Sequence, residues 1–325
     1  MTEDPSATGS AAVDPVAFGE RISAQLRALA ASLGPLEPVA RGLIDRPGKR
    51  MRSLMLAHCA SLGRPRTDDV VRAAAVVELL QIASLLHDDV VDQSPTRRFA
   101  PAAHVAHGSE LALLGGVACF GLAGTEAAEL GPTSNVLTSR AVAELARGEM
   151  LDVERAFDVA LDVDDYVALV AAKTAALFRL SCELGAEQGR CDAATRQALA
   201  TFGSELGIGF QILDDCLDLE GAGSGKPVGR DLALGLYGAP LLCALAAAGD
   251  DDDRELAGVL RSPSFGDDDL PRVHALVLRH DGIAAARRMA AERIARALAA
   301  LDEIAPGPGR DGLETIARPL TEDPR

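Results

Sequence analysis

The sequence predicts an all-α protein, with one domain of about ten or more helices. Hydrophobic residues make up 48% of the 325 residues, and the chain has no tryptophan and only 2 tyrosines. Such a composition favours packed helices, because β-strands are enriched in β-branched and aromatic side chains. Apolar residues also recur at three- and four-residue spacing, and no alternation typical of strands persists.

Helical patterns follow one another from residue 16 to residue 305, which we predict to be the domain. Stretches rich in Gly and Pro, such as GPLEP, DRPGKR and GAGSGKPVG, separate the helices. Residues 1–15 are small and polar and are predicted to be disordered, and residues 306–325 to be loosely ordered. The clearest helical segments are Arg72 to Val91, Ala141 to Val153, Asp164 to Leu184, Ala194 to Leu219 and Gly282 to Leu301.

The charge balance and the cysteines limit the class of protein. A net charge of −16 argues against a nucleic-acid partner, which would favour a basic face. The six cysteines are scattered without a CxxC pair, which predicts reduced thiols in a cytoplasmic protein. The acidic N-terminus does not resemble a signal peptide, and no long uncharged apolar run predicts a membrane span.

Two aspartate motifs end apolar helical runs, LLHDDVVD at residues 85–92 and FQILDDCLD at residues 210–218. Asp88 and Asp92 are four apart, as are Asp214 and Asp218, so each pair lies on one helical face. Like charges at this spacing repel each other, so each pair needs a cation nearby. Carboxylates with few nearby His or Cys residues suit Mg²⁺, which completes its coordination with water and substrate phosphate. Other acidic runs, GDDDDRE, LDVDDY and GDDDL, are interpreted as solvated loops or helix caps.

A diphosphate site also needs cations from the protein, and several basic residues occur in suitable places. They are Lys49, Arg50 and Arg52 after a Pro-Gly turn, Arg97 and Arg98 after the first aspartate motif, Lys173 beside Thr174 in an apolar helix, and Lys226 in a Gly-rich loop. Ordinary surface charge is the alternative for Arg50 and Arg97, and a side chain that reaches solvent is the alternative for Lys173.

With these motifs, the chain resembles the trans-type isoprenyl diphosphate synthases of the polyprenyl synthetase family, especially geranylgeranyl and longer-chain synthases. The resemblance runs from about Pro47 to about Leu301. Its motifs are PGKRMR, LLHDDVVDQSPTRR, AAHVAHG, ARGEMLD, KT, GFQILDDCLD and GKPVGRD. It implies a helical bundle around a central cavity, and a Mg²⁺-dependent condensation of isopentenyl diphosphate with an allylic diphosphate. It further implies a homodimer.

The resemblance also implies a role for each site residue. Three Mg²⁺ ions would be bound by Asp88, Asp92 and Asp214, with support from Asp89, Asp215 and Asp218 through water or outer-sphere contacts. The allylic diphosphate would be held by Arg97, Lys173 and Lys226, and the carbocation or its diphosphate stabilised by Thr174 and Gln211. Isopentenyl diphosphate would be held by Lys49, Arg52, Gln81 and Arg98. His87 could be a catalytic base, but a packed helix residue is the favoured interpretation.

Small residues precede the first aspartate motif and bear on product length. Family members with short products carry bulky aromatic residues where this chain has Ala83 and Ser84, which implies a product of twenty carbons or more. Phe120 and Phe178 are candidates for the floor of the chain pocket, with ordinary core packing as the alternative.

Three departures from the family pattern leave other functions open. Gly115-Gly116 stands for a Gly-Asp pair, Leu236 and Gly238 stand near the positions of a Lys and a Thr, and Glu149 stands for a Gln. They could tune substrate choice or slow the enzyme. The alternatives are a catalytically weak subunit of a heteromeric synthase and a class I terpene cyclase, and a purely structural protein would not need both aspartate motifs.

Overall fold

The computed structural model describes residues 13–220, 229–248, 250–262 and 265–321. Its α-helices are α1 Pro15–Ala30, α2 Glu37–Ile44, α3 Met51–Ser61, α4 Thr67–Val91, α5 Ala103–His107, α6 Ser109–Glu129, α7 Pro132–Glu154, α8 Val163–Val170, α9 Ala176–Gln188, α10 Ala193–Glu220, α11 Arg230–Ala233, α12 Ala239–Ala247, α13 Asp250–Leu260, α14 Leu270–Arg279, α15 Gly282–Ala300 and α16 Pro308–Ala317. Short 3₁₀ turns occupy Ala31–Leu36, Asp267–Asp269, Leu301–Glu303 and Arg318–Leu320, and a π-helical turn occupies Ala171–Ala175.

The all-α prediction is confirmed. In the described ranges the strands are only β1 Thr96–Arg97 and β2 Ala100–Pro101, which form one small antiparallel hairpin. Its two turn residues, Arg98 and Phe99, both have positive φ, as tight hairpin turns require. The five predicted helical segments all fall on helices, although the third is divided by the π-helical turn.

Contacts divide the chain into two compact units, whereas we predicted one domain over residues 16–305. The first unit comprises Met1–Val142, Leu177–Gly203 and Ala299–Arg318, and the second comprises Ala143–Ala176, Ser204–Leu298 and Pro319–Arg325. The chain passes between the units more than once, so neither unit is a single contiguous stretch.

In the first unit, α4 packs along α6 and supplies much of the core. Its buried side chains include Val76, Leu79, Leu80 and Leu86, each fully enclosed. A helix apolar on nearly all sides is typical of a core position. In the second unit the core gathers around α10, α12 and α14, where residues such as Ile212, Leu241 and Val273 are fully buried.

The end of the chain differs from the prediction of a loosely ordered segment over residues 306–325. The helix α16 packs against α3, and its Leu313 and Ala317 are completely buried. Two glycines permit the close approach, because side chains at Gly309 and Gly312 would collide with Ser61 and His58 of α3. This short helix has few periodic apolar positions, and the Gly and Pro residues of APGPGRDG in and before it predict a loop.

Two helices, α4 and α6, are long and apolar enough to cross a membrane by length and composition alone. Core helices of soluble proteins pass the same test, so this is weak evidence for a membrane span. Of the most apolar window, 67% is buried in α4 and 39% in α6. All six cysteines are free thiols, and Cys59, Cys119, Cys182 and Cys216 are buried.

Candidate active site

The α4 carboxylates (Asp88, Asp89 and Asp92) lie at the C-terminal end of α4, where the helix dipole is negative. The backbone N–H of Asp92 donates to the carbonyl of Asp88 at 2.8 Å, so helical geometry persists through the motif. Asp88 and Asp92 therefore share one face, as the sequence predicted. Three negative side chains at the negative end of a helix require positive charge for their stability.

Part of that charge comes from Arg97 on the β-hairpin. Its Nε and Nη2 atoms donate to Oδ1 of Asp89 at 2.8 and 2.5 Å. Asp89 is 1% exposed, and the ion pair with Arg97 offsets the cost of burying its negative charge. The structure thus gives Asp89 a direct protein partner, and it ties Arg97, predicted to hold the allylic diphosphate, to the α4 carboxylates.

Two of the residues predicted for isopentenyl diphosphate, Arg52 and Arg98, interact with Glu78, a first-unit residue that the sequence did not predict. Glu78 accepts a hydrogen bond from Ser53 Oγ at 2.5 Å and acts electrostatically on Arg50, Arg52 and Arg98. One carboxylate opposes three guanidinium groups, so the cluster remains positive and suits an anionic ligand. We name Glu78, Arg50, Arg52 and Arg98 the arginine cluster.

The members of the arginine cluster are held in different ways. Arg52 lies over the ring of Phe178, 4.4 Å from its centroid, and desolvation lowers its pKa to about 10. Arg98 donates to the carbonyls of Arg46 and Leu43, beside the Pro-Gly turn that carries the exposed Lys49. The guanidinium of Arg50 donates to Gly19 and Ser23 of α1.

Three other predicted residues of the first unit, Gln81, Ser84 and Ala83, lie on α4 before the aspartate motif. Gln81 on α4 has a buried Oε1 atom without a hydrogen-bond partner among the described residues, as a ligand-contacting amide would. Ser84 donates to Asp88 Oδ2 at 3.4 Å, which confirms that it lies one turn from Asp88 on the same face. Ala83 is fully buried.

His87 is a packed helix residue, as we favoured. Its ring stacks on Phe120 with the centroids 5.7 Å apart, and its Nε2 atom lies 3.2 Å from the carbonyl of Leu113. Gly116 makes room for the imidazole, since a Cβ there would lie 2.7 Å from the ring. The departure to Gly at this position therefore has a steric reason. Phe120 and Phe178 contact His87 and Arg52, so both take part in ordinary packing.

The α10 carboxylates (Asp214, Asp215 and Asp218) lie in the last two turns of α10, again at the negative end of a helix dipole. Asp214 is exposed and Asp218 half-buried. Asp215, predicted to support a metal through water or outer-sphere contacts, accepts three hydrogen bonds from protein donors. They come from Tyr166 Oη at 2.6 Å, Gln211 Nε2 at 2.9 Å and the Ala239 N–H at 3.0 Å.

The hydrogen bonds of Asp215 extend to Thr174 and Gln211, the two residues predicted to stabilise the carbocation or its diphosphate. Gln211 uses its amide nitrogen on Asp215, which leaves Oε1 to accept the Thr174 hydroxyl at 2.8 Å. Burial raises the pKa of Asp215 to about 7, while its three donors act in the opposite direction. Gly238 also belongs here, because a Cβ at that position would lie 2.6 Å from Asp215 Oδ2. A threonine, which the family pattern has near this position, would collide with the carboxylate.

Lys173 lies in the π-helical turn Ala171–Ala175. Its Nζ atom lies 2.5 Å from Asp152 Oδ2 and 3.1 Å from Glu149 Oε2, both on α7. These two carboxylates compensate the charge of a side chain that is only 24% exposed. Lys226, the remaining predicted diphosphate ligand, lies outside the described residues.

Magnesium fits the donor set of each motif. In the described ranges no three His, Cys, Asp or Glu side chains already form a closed metal cluster. Each aspartate motif instead presents carboxylates of one helical face, which matches an ion that takes few protein carboxylates and completes its shell with water and phosphate. Asp88, Asp92 and Asp214 are the side chains that we predicted for this purpose.

Comparisons with known proteins decide the family. The Polyprenyl synthetase family model matches residues 35–277. The chain belongs to this family. It is 30% identical to heptaprenyl diphosphate synthase component 2 of Geobacillus stearothermophilus, with 90% of this chain and 91% of that protein covered. It is 34% identical to a probable mitochondrial hexaprenyl pyrophosphate synthase of Neurospora crassa, with 76% of the chain covered but only 56% of that longer protein.

A solved relative supports the fold. The crystal structure of a decaprenyl diphosphate synthase from Rhodobacter capsulatus matches with a TM-score of 0.85 and 30% identity, and the match covers 94% of this chain and 96% of that one. The all-α architecture is therefore that of a known prenyl diphosphate synthase.

Sequence reasoning missed the residues that hold the predicted ones in place. Tyr166 and Glu78 lie outside the motifs of the resemblance, and their role appears only when their partners are known. A signal did exist for Asp152. It stands three residues after Glu149 in ARGEMLD, so both carboxylates occupy one helical face.

Proposed function

We propose that this chain is a Mg²⁺-dependent prenyltransferase that condenses isopentenyl diphosphate with an allylic diphosphate. The product is a trans-polyprenyl diphosphate of twenty carbons or more. One observation carries the proposal: two aspartate motifs end apolar helices at their negative poles, in a chain of the polyprenyl synthetase family. Each motif is accompanied by fixed cationic or hydrogen-bonding groups that suit a diphosphate.

The reaction breaks the bond between the allylic carbon and the diphosphate oxygen, and the electron pair leaves with the diphosphate. The double bond of isopentenyl diphosphate then forms the new carbon–carbon bond. A proton is lost from the carbon next to the resulting cation, and the departed diphosphate accepts it. The costly step is charge separation, which fixed charges and dipoles stabilise.

Each group of residues has a task in this scheme. Lys173 and Arg97 bind the allylic diphosphate, and we retain Lys226 as a third ligand. Thr174 and Gln211, locked by their mutual hydrogen bond, present oxygen atoms to developing positive charge. Arg52 and Arg98 of the arginine cluster, with Lys49 and Gln81, bind isopentenyl diphosphate.

Magnesium, when bound by Asp88, Asp92 and Asp214, supplies positive charge that stabilises the leaving diphosphate, and we propose three ions. Asp89 is already paired with Arg97, and Asp215 with Tyr166 and Gln211. Both then act by positioning neighbouring groups. For Asp218 we retain the predicted outer-sphere role.

Product length rests on the residues before the first aspartate motif. Ser84 is half-buried one turn from Asp88, and Ala83 beside it is small. Neither closes the path of a growing chain as an aromatic ring would. Three relatives of this chain are named for hexaprenyl, heptaprenyl and decaprenyl products, which supports a long product.

We propose that the chain forms a homodimer through α6. Leu114 and Val117 of α6 are 54% and 60% exposed, and the next turns of this face carry Gly121 and Gly124, with open space where a Cβ would point. An apolar stripe with small residues lets another helix approach closely. A second copy of this chain carries the same stripe and can supply that helix.

A heteromeric synthase is the second candidate, because one relative is named as component 2 of a heptaprenyl diphosphate synthase. In that case the α6 stripe binds a different subunit, and this chain alone turns over slowly.

The test is the stoichiometry of the reaction. We expect one inorganic diphosphate released for each isopentenyl diphosphate consumed, in a reaction abolished by EDTA and restored by Mg²⁺. Asp88→Asn and Asp214→Asn should each lower kcat by at least about 100-fold, as loss of a charge-stabilising group does. Asp269→Asn, outside both motifs, is the matched control and should retain full activity. Diphosphate release without consumption of isopentenyl diphosphate would contradict the proposal.

A further inference from the structure

The ammonium group of Lys173, in the second unit, forms ion pairs with two carboxylates. Lys173 Nζ contacts Asp152 Oδ2 at 2.5 Å and Glu149 Oε2 at 3.1 Å. Glu149 is 29% exposed and Asp152 is 19% exposed, so all three side chains are shielded in part from water. With a single lysine and two carboxylates, the formal charge of this trio is −1.

The backbone fixes this arrangement. The π-helical turn brings Lys173 towards α7, and π-turns of this kind recur at functional positions. Gly148 allows the approach, since a Cβ there would lie 2.5 Å from the backbone nitrogen of Lys173. Glu149 and Asp152 are three apart on α7, so both carboxylates reach the same ammonium.

The two carboxylates differ in what they contribute. Asp152 makes the shorter contact and is the less exposed, so it holds the ammonium in place. Glu149 adds a second negative charge to an ammonium that is already paired. A second carboxylate repels any further anion that approaches Lys173, and partial shielding from water strengthens this repulsion.

We propose that Glu149 is an affinity-determining residue, which weakens binding of the allylic diphosphate by competing with it for the Lys173 ammonium. This inference rests on the proposed function, because it takes Lys173 as a ligand of the diphosphate. The anion competes with both carboxylates for the Lys173 ammonium, and Glu149 holds the longer contact of the two. The same competition speeds release of the product diphosphate group.

The first experiment is a comparison of Glu149→Gln with the unaltered protein. Glutamine keeps the size of the side chain and one acceptor oxygen, and it removes the negative charge. We expect KM for the allylic diphosphate to fall by about threefold to tenfold, with KM for isopentenyl diphosphate changed by less than about twofold. The matched control is Glu154→Gln, which removes the same charge from an exposed position of the same helix and should change neither constant.

The second experiment does not depend on turnover. Isothermal titration calorimetry with inorganic diphosphate in excess Mg²⁺ should show binding about threefold to tenfold tighter for Glu149→Gln than for the unaltered protein and Glu154→Gln. Raising the salt concentration should reduce this difference, since screening weakens the repulsion. If Glu149→Gln melts well below the unaltered protein, the same titration is made with Glu149→Ala.

The outcomes separate this inference from the proposed function. A protein that never consumes isopentenyl diphosphate contradicts the proposed function. An active protein whose Glu149→Gln variant binds diphosphate with unchanged affinity overturns the inference alone. Weaker binding by Glu149→Gln also overturns it, because Glu149 would then help to hold the anion or its metal.

Discussion

At the scale of single residues, Asp215 shows which protein partners a member of an aspartate motif has in the fold. The sequence places Asp215 in an aspartate motif, which indicates a role near metal. In the structure both of its oxygens are occupied by Tyr166, Gln211 and the Ala239 N–H. Its direct task is to fix the amide of Gln211, which in turn accepts the Thr174 hydroxyl.

Loss of the Tyr166 hydroxyl should therefore be costly. We expect Tyr166→Phe to lower the free energy of unfolding by about 1–3 kcal/mol, since it leaves a desolvated carboxyl group without one of its donors. Urea unfolding followed by circular dichroism measures this change. Tyr237→Phe is the matched control, because the buried Tyr237 hydroxyl has no partner among the described residues, and removing it should be neutral or stabilising. Equal losses for both variants would contradict the assignment.

A second residue-scale prediction concerns Ser84. We expect Ser84→Phe to shift the products to shorter chains, because a ring one turn before Asp88 would occupy the path of the growing chain. Ser84→Thr, which keeps the hydroxyl group, should leave the product length unchanged. Sizing of the dephosphorylated alcohols checks both. An unaltered product distribution in Ser84→Phe would show that the chain grows elsewhere.

At the scale of elements, periodicity predicted the long helices because their apolar faces are continuous. It predicted one helix over residues 164–184, where the structure has α8, a π-helical turn and α9. No residue in AAKTA breaks a helix, so the extra residue of the π-turn depends on packing against Gly148 of α7. Helix α16 was missed for a related reason, since its order depends on α3.

The packing of α16 on α3 should make the stability of the protein depend on pH through His58. Burial lowers the pKa of His58 below its ordinary 6.5. The folded protein therefore binds fewer protons here than the unfolded chain, and stability falls as the pH drops through 6.5 towards the lowered pKa. We expect the urea midpoint to decline between about pH 7 and about pH 5.5, and the decline to be smaller in His58→Asn. An equal slope in both proteins would contradict this account.

At the scale of the whole molecule, composition and helical periodicity were sufficient for the all-α class and for both aspartate motifs. Division into two interleaved units could not be predicted, because it depends on contacts between segments far apart in sequence. The site residues with motifs of their own were predicted from the sequence. Their supports, Glu78, Asp152 and Tyr166, were not, since each is defined by a partner on another helix.

The exposed α6 stripe carries a prediction about assembly. We expect Val117→Glu to convert the proposed dimer into a monomer, because a charge would be buried at the centre of an apolar contact. Light scattering after size-exclusion chromatography measures the mass directly. Leu278→Glu on α14, a residue 52% exposed and outside the stripe, should leave the dimer intact. A Val117→Glu protein that remains a dimer would place the interface elsewhere.

The most direct measurement is product analysis of the whole protein. It would be incubated with Mg²⁺, isopentenyl diphosphate and, in separate reactions, allylic starters of about five, ten, fifteen and twenty carbons. The dephosphorylated products would be sized by mass spectrometry. We predict linear alcohols of about twenty carbons or more, absent from Asp88→Asn. A cyclic hydrocarbon formed without isopentenyl diphosphate, or no elongated product from any starter, would contradict the central claim.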